Sequence, residues 1–83
     1  MKLVYFAWVR ERIGVSEEEV AIPSSVLTVR DLLLWLKTRG EGYEQALQYP
    51  EVIRVALDHE HAEHDEAIGG AREIGIFPPM TGG

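Results

Sequence analysis

Seven residues at the end of the sequence, Phe77-Pro78-Pro79-Met80-Thr81-Gly82-Gly83, have the types and spacing for one kind of chemistry, activation of a terminal carboxyl group. Pro78 and Pro79 lack the amide donor that a sheet ladder needs and favour an extended polyproline geometry, so whatever follows them is expected to project from the body. Gly82 and Gly83 carry no Cβ, so they can thread a narrow channel in another protein and bring the α-carboxylate close to a nucleotide or an acceptor. A carboxylate is inert until it becomes a mixed anhydride. Adenylation by ATP on a partner enzyme would supply that, and attack by a sulfur donor on the acyl-adenylate would leave a thiocarboxylate. On this reading Gly83 carries the reacting group, while Gly82, Thr81, Met80, Pro79 and Pro78 provide access. The chain contains no cysteine, which removes disulfides, thiolate nucleophiles and cysteine-based zinc sites together. Sulfur handled by this protein therefore has its natural seat on the carboxyl group. The competing reading is an idle chain end, against which stand the rigid diproline and the order of the preceding elements.

The rest of the composition points away from independent catalysis. With 83 residues the chain is expected to form one domain, and a domain of this size buries only roughly 60–65% of its unfolded surface, leaving little room for an enclosed active site. No Ser/His/Asp or lysine-centred arrangement is readable, nor a phosphate-binding glycine loop. No apolar run approaches the ~20 residues of a membrane span. The opening stretch Met1 to Val9 is followed by Arg10-Glu11-Arg12 where a signal peptide would have small residues, so it reads as a first strand of a cytoplasmic protein. Eight basic residues against fourteen acidic ones give a net charge of −6, with Lys2 and Lys37 as the two lysines. That balance argues against nucleic acid and favours a partner with a basic groove.

Leu3, Tyr5 and Ala7 alternate with Val4 and Phe6, which predicts a strand over 2–7. A turn at Gly14 leads to a second strand through Val20 and Ile22, stopped by Pro23, so the two form a hairpin. Val29, Leu32, Leu33 and Leu36 lie on one helical face, with Thr28 as N-cap, Asp31 three residues on, and Gly40 as a left-handed stop. A short helical turn is expected over 43–48, a buried strand over 52–57, a polar connector over 59–66 with room for an edge strand, a turn at Gly69-Gly70, and a last strand over 73–77. Hairpin, main helix, then further strands is an α+β layout, a mixed sheet of about five strands covered by one helix, and this order is shared with the β-grasp, or ubiquitin-like, fold. The expected division is a body over 1–77 and an extended tail over 78–83.

His59, His61 and His64 stand among five carboxylates and have the composition of a metal site. Zinc, however, needs three or four converging ligands, and such exposed stretches are usually solvated, so no metal is assigned. Trp8, beside the Arg10-Glu11-Arg12 loop, is a candidate exposed anchor for a partner, whereas Trp35 borders the apolar stripe and reads as core. Phe77, at the root of the tail, fits equally a docking contact and an ordinary core side chain.

The sequence resembles the family of molybdopterin synthase small subunits over nearly its whole length. The resemblance is carried by Tyr5-Phe6-Ala7 with Val9-Arg10-Glu11 and Gly14, by Thr28-Val29-Arg30-Asp31-Leu32, Val55-Ala56-Leu57-Asp58 and Glu73-Ile74, and most specifically by the tail from Phe77 to Gly83. It implies two partners, an ATP-dependent adenylating enzyme and a large synthase subunit, in a heterotetramer with the small subunits at its ends. It also implies that sulfur held at Gly83 passes to cyclic pyranopterin monophosphate to build molybdopterin, with the catalytic lysines on the large subunit and no cofactor held permanently here. The family has Asp-Gly-Asp-Glu where this chain has Gly70-Ala71-Arg72-Glu73, and commonly Asn at Asp58, so a reshaped turn is expected there. A sulfur carrier for thiazole synthesis, which usually lacks the diproline, a ubiquitin-like protein modifier, and a plain interaction domain are the alternatives.

Overall fold

The first strand, β1 (Lys2–Tyr5), buries Leu3 and Tyr5. It ends two residues short of expectation because Ala7 takes a left-handed φ of 51°, after which the chain forms α1 (Ala7–Ile13), with Val9 in the core and Gly14 closing the helix at φ 100°. The aromatic run from Tyr5 to Val9 had the composition of a continuing strand, and Arg10-Glu11-Arg12 that of a loop; from Ala7 onward both lie instead on a helix. β2 (Glu17–Glu19) then pairs antiparallel with β1, so the expected hairpin pairing holds with a helix inserted in its connection and with the strand ending before Val20.

The main helix α2 (Val29–Lys37) carries the expected capping box. Thr28 Oγ1 accepts from the Asp31 amide at 3.2 Å, and Asp31 Oδ2 accepts from the Thr28 amide at 3.2 Å. Val29, Leu32, Leu33 and Leu36 are fully buried. Gly40 does not supply a left-handed stop; its φ is 163°, ordinary extended backbone. The helix ends at Thr38, whose hydroxyl donates to the Trp35 carbonyl at 2.6 Å, and Gly40 instead precedes α3 (Glu41–Ala46). A 3₁₀ turn (Pro50–Val52) occupies the expected start of the next strand, which is confined to β3 (Arg54–Leu57). Asp58 and His59, with φ of 49° and 72°, make a tight turn into the edge strand β4 (Glu60–Ala62), and Gly69-Gly70 turns toward β5 (Glu73–Phe77).

The five strands form one mixed sheet in the order β2-β1-β5-β3-β4. The last strand is thus the middle one, parallel to β1 and antiparallel to β3. Its Ile74 and Ile76 point into the core under α2, with Leu3, Tyr5, Val55 and Ile53; Glu73, Gly75 and Phe77 alternate onto the opposite, helix-free face. Among the described residues the helix layer has α2 as the expected main helix, α3 near the expected helical turn, and α1, which was not expected.

This computed structural model describes residues 1–79. The expectations that fall on Met80, Thr81, Gly82 and Gly83 lie outside the described residues. Among the described residues no helix is long and apolar enough to cross a membrane.

Candidate functional site

The tail leaves the body from the centre of the sheet. β5 ends at Phe77, where Pro78 can no longer donate to a neighbouring strand. Phe77 pairs in register with Arg54 of β3, and on its other side the chain leaving β1 stays attached for one more residue, since the Phe6 amide donates to the Ile76 carbonyl at 3.1 Å. That bond sets Phe6 beside Phe77. The two rings stack with centroids 4.2 Å apart and planes within 3°. Sequence reasoning singled out Phe77 but missed Phe6, whose partner is supplied by a parallel pairing that no local pattern reports.

Phe6, Phe77, Ala56, Pro78 and Pro79 line an open groove of about 540 Å³, with Arg54 and His61 as its ionisable members. Phe77 is half-buried, so both of its sequence readings hold in part: one side rests on the sheet and the other faces the groove. Pro79 also lines a second hollow, on the helix side, with Trp8, Arg12, Tyr49 and Val52. Trp8 is therefore not an exposed anchor on a loop. It is half-buried on α1, packed against the core, and covered by the Arg12 guanidinium 4.3 Å from its ring. Trp35 is likewise half-buried against the core.

The three histidines do not converge, and among the described residues no group of three or more His, Asp or Glu is placed to hold a metal ion. His59 reaches Glu73 at 3.5 Å, His61 reaches Glu63 at 3.6 Å, and His64 Nε2 lies 2.7 Å from the Ile53 carbonyl. Glutamates also lie on or beside β1 and β2. Glu17 and Glu73 flank Lys2 at 3.2 and 3.6 Å at the far end of the open face. Glu18 is directed inward, where its Oε2 accepts from Tyr5 and Tyr43 at 2.6 and 2.7 Å and its Oε1 lies 3.5 Å from Arg39. Burial first, and this carboxylate second, push both phenols up, Tyr5 well above its ordinary range.

The turn that departs from the resembling family is held by Asp58. Its Oδ1 accepts from the amides of Arg72 and Glu73 at 2.9 and 3.0 Å, and these two bonds hold its carboxyl below the ordinary carboxylate value. Both contacts go to an oxygen that asparagine also has, so aspartate fits without rearrangement of the turn.

The family model described as ThiS family matches residues 3–83.

The chain belongs to the ThiS family.

Three curated relatives bear the name molybdopterin synthase sulfur carrier subunit. The protein of Escherichia coli strain K12 is 29% identical over 83 residues, covering 100% of this chain and 99% of the relative. That of Mycosarcoma maydis is 29% identical over 89 residues, covering 100% and 92%. Among solved structures, a Pyrococcus furiosus chain described as molybdopterin converting factor subunit 1 is 28% identical with a TM-score of 0.73, over 95% of both chains. Small archaeal modifier protein 1 of Haloferax volcanii is 28% identical with a TM-score of 0.70, over 100% of this chain and 98% of that one. Together with the mixed five-strand sheet, these likenesses give this ThiS-family chain the β-grasp fold expected from its element order.

Proposed function

We propose that this chain is the sulfur carrier subunit of a molybdopterin synthase, with a body over 1–77 that docks and a tail over 78–83 that reacts. The observation that carries the reading is the placement of the tail root: Pro78 and Pro79 follow directly from the central strand, beside the Phe6–Phe77 stack. Family membership and the names of the relatives support the same reading.

The proposed cycle begins on an adenylating enzyme, where the Gly83 carboxylate attacks the α-phosphate of ATP and pyrophosphate leaves. Hydrosulfide delivered by a sulfur donor then displaces AMP from the acyl carbon, forming the C–S bond of the thiocarboxylate. The large synthase subunit receives the tail, the thiocarboxylate sulfur bonds to cyclic pyranopterin monophosphate, and water cleaves the acyl–sulfur bond, leaving sulfur on the pterin and regenerating the Gly83 carboxylate. In this cycle the chain contributes a docking face, a tether of fixed origin and an acyl carbon; it turns nothing over alone. Holding the tether at the sheet centre limits the arrangements in which the glycines must be ordered, which lowers the entropic cost of insertion.

The test is reconstitution of the thiocarboxylated protein with a large subunit and the pterin precursor. Molybdopterin formation is the expected result. Protein conjugates joined through Gly83 to lysines, without molybdopterin, would move the assignment to a ubiquitin-like modifier, the reading favoured by the likeness to the Haloferax volcanii protein. Sulfur transfer into thiazole alone would move it to the sulfur carriers of thiazole synthesis.

A further inference from the structure

Gly75 occupies the middle of the open sheet face, in register with Val4 of β1 and Ala56 of β3. Its backbone does not require glycine, since its φ lies outside the left-handed region occupied by Gly14 and Gly70, and glycine inside a strand weakens it. What requires glycine is the space above it. A Cβ at this position would lie 2.9 Å from Phe77 Cε1, 3.2 Å from Phe77 Cζ and 3.3 Å from Phe6 Cε2. The Phe77 ring occupies the volume that the first carbon of any other side chain would fill, and the Phe6 ring stands tightly beside it.

We propose that Gly75 is the positioning residue of the docking face: by leaving that volume free it lets Phe77 lie down across the sheet and stack on Phe6, which keeps the groove open for an apolar side chain of the large synthase subunit. The proposal rests on the reading of the Phe77 face as the docking surface. The apolar occupant follows from the lining, which is aromatic, alanine and proline with Arg54 and His61 as the ionisable members. A methyl group at 75 would sit beneath the rings, so it acts on a partner through them. The atoms it meets are the far ends of side chains rather than backbone, so Phe77 accommodates it by tilting into the groove while the sheet stays intact.

The experiment uses the full chain as Gly75→Ala, Phe77→Ala and the double variant. It measures calorimetric affinity for the large subunit, thermal melting, and proton NMR contacts between the two phenylalanine rings. Phe77→Ala should weaken binding roughly tenfold or more, as the loss of an aromatic anchor does. Gly75→Ala should weaken it by roughly threefold to tenfold with an unchanged or higher Tm, since the unfolded chain loses freedom, and the ring-to-ring contacts should disappear. The double variant should bind no more weakly than Phe77→Ala, because the methyl then has no ring to displace. If Gly75→Ala instead lowers the Tm, the double variant should restore it. Wild-type affinity in Gly75→Ala beside weak binding in Phe77→Ala overturns the role of Gly75 and leaves the docking face standing. A double variant weakened by the product of the two single effects also overturns it. Unchanged binding in Phe77→Ala removes the docking reading itself, and this proposal with it.

Discussion

Asp58 shows how one carboxylate can hold two segments together. It sits with φ of 49° in the turn between β3 and β4, a region that Asp and Asn tolerate better than most residues, and its Oδ1 ties that turn to the start of β5 through two amides. Because these bonds depress the folded-state value below 3.8, the stabilisation is fully present above the unfolded value and is lost as pH falls through the folded one. Asp58→Asn keeps an oxygen for both amides and removes the titration. Its Tm at neutral pH should stay close to that of the parent, and the fall in Tm below about pH 4 should be shallower. An unchanged acid limb in thermal melts would contradict this. Asp31, held low by the Leu27 and Thr28 amides, keeps its own share in either protein. The Asp31 contact was legible in the sequence, because a capping box is written within four consecutive residues. The Asp58 contact was not, since its partners come from the far side of the β4 connection.

Between elements, the closest fit is α3 on α1. A Cβ on Gly42 would stand 2.6 Å from the Arg12 carbonyl oxygen and 3.5 Å from Ile13 Cα, backbone atoms that cannot rotate aside. Gly42→Ala should therefore force the two helices apart and cost about 1–3 kcal/mol, the usual range for overpacking. That corresponds to a fall in Tm of roughly 4–8 °C per kcal/mol for a domain of this length; an unchanged Tm would show that the helices do not meet this closely. The packing role of this glycine, which lies within α3, was not legible in the sequence, because α1 itself was hidden. Tyr5-Phe6-Ala7-Trp8-Val9 has strand composition, and what ends the strand is the positive φ at Ala7, a choice made by tertiary packing rather than by propensity. By contrast α2, β5 and the Gly69-Gly70 turn carry strong local signals and stand where those signals put them.

The molecule as a whole joins a legible order of elements to a topology that local patterns do not encode. Periodicity identifies the last strand but not its place between β1 and β3, because the parallel β1·β5 pairing joins the two ends of the chain. Charge is distributed just as unevenly. The net −6 suggested a partner with a basic groove, yet the groove at the tail root has Arg54 and His61 as its ionisable members, with Glu17 and Glu73 around Lys2 at the far end of the face. A partner surface that covers the root should accordingly be apolar with an acidic margin, and any basic site should meet the acids farther off. All of this serves the tail only if Gly83 becomes activated. The direct measurement is intact mass after incubation with a cognate adenylating enzyme, ATP and a sulfur source. The full chain should gain the mass of one oxygen-to-sulfur exchange, located at Gly83 by fragmentation, and a chain lacking Gly83 should fold with the same Tm and gain nothing. No exchange in the full chain, or loss of folding on removing Gly83, would contradict a sulfur carrier with an exposed reactive tail.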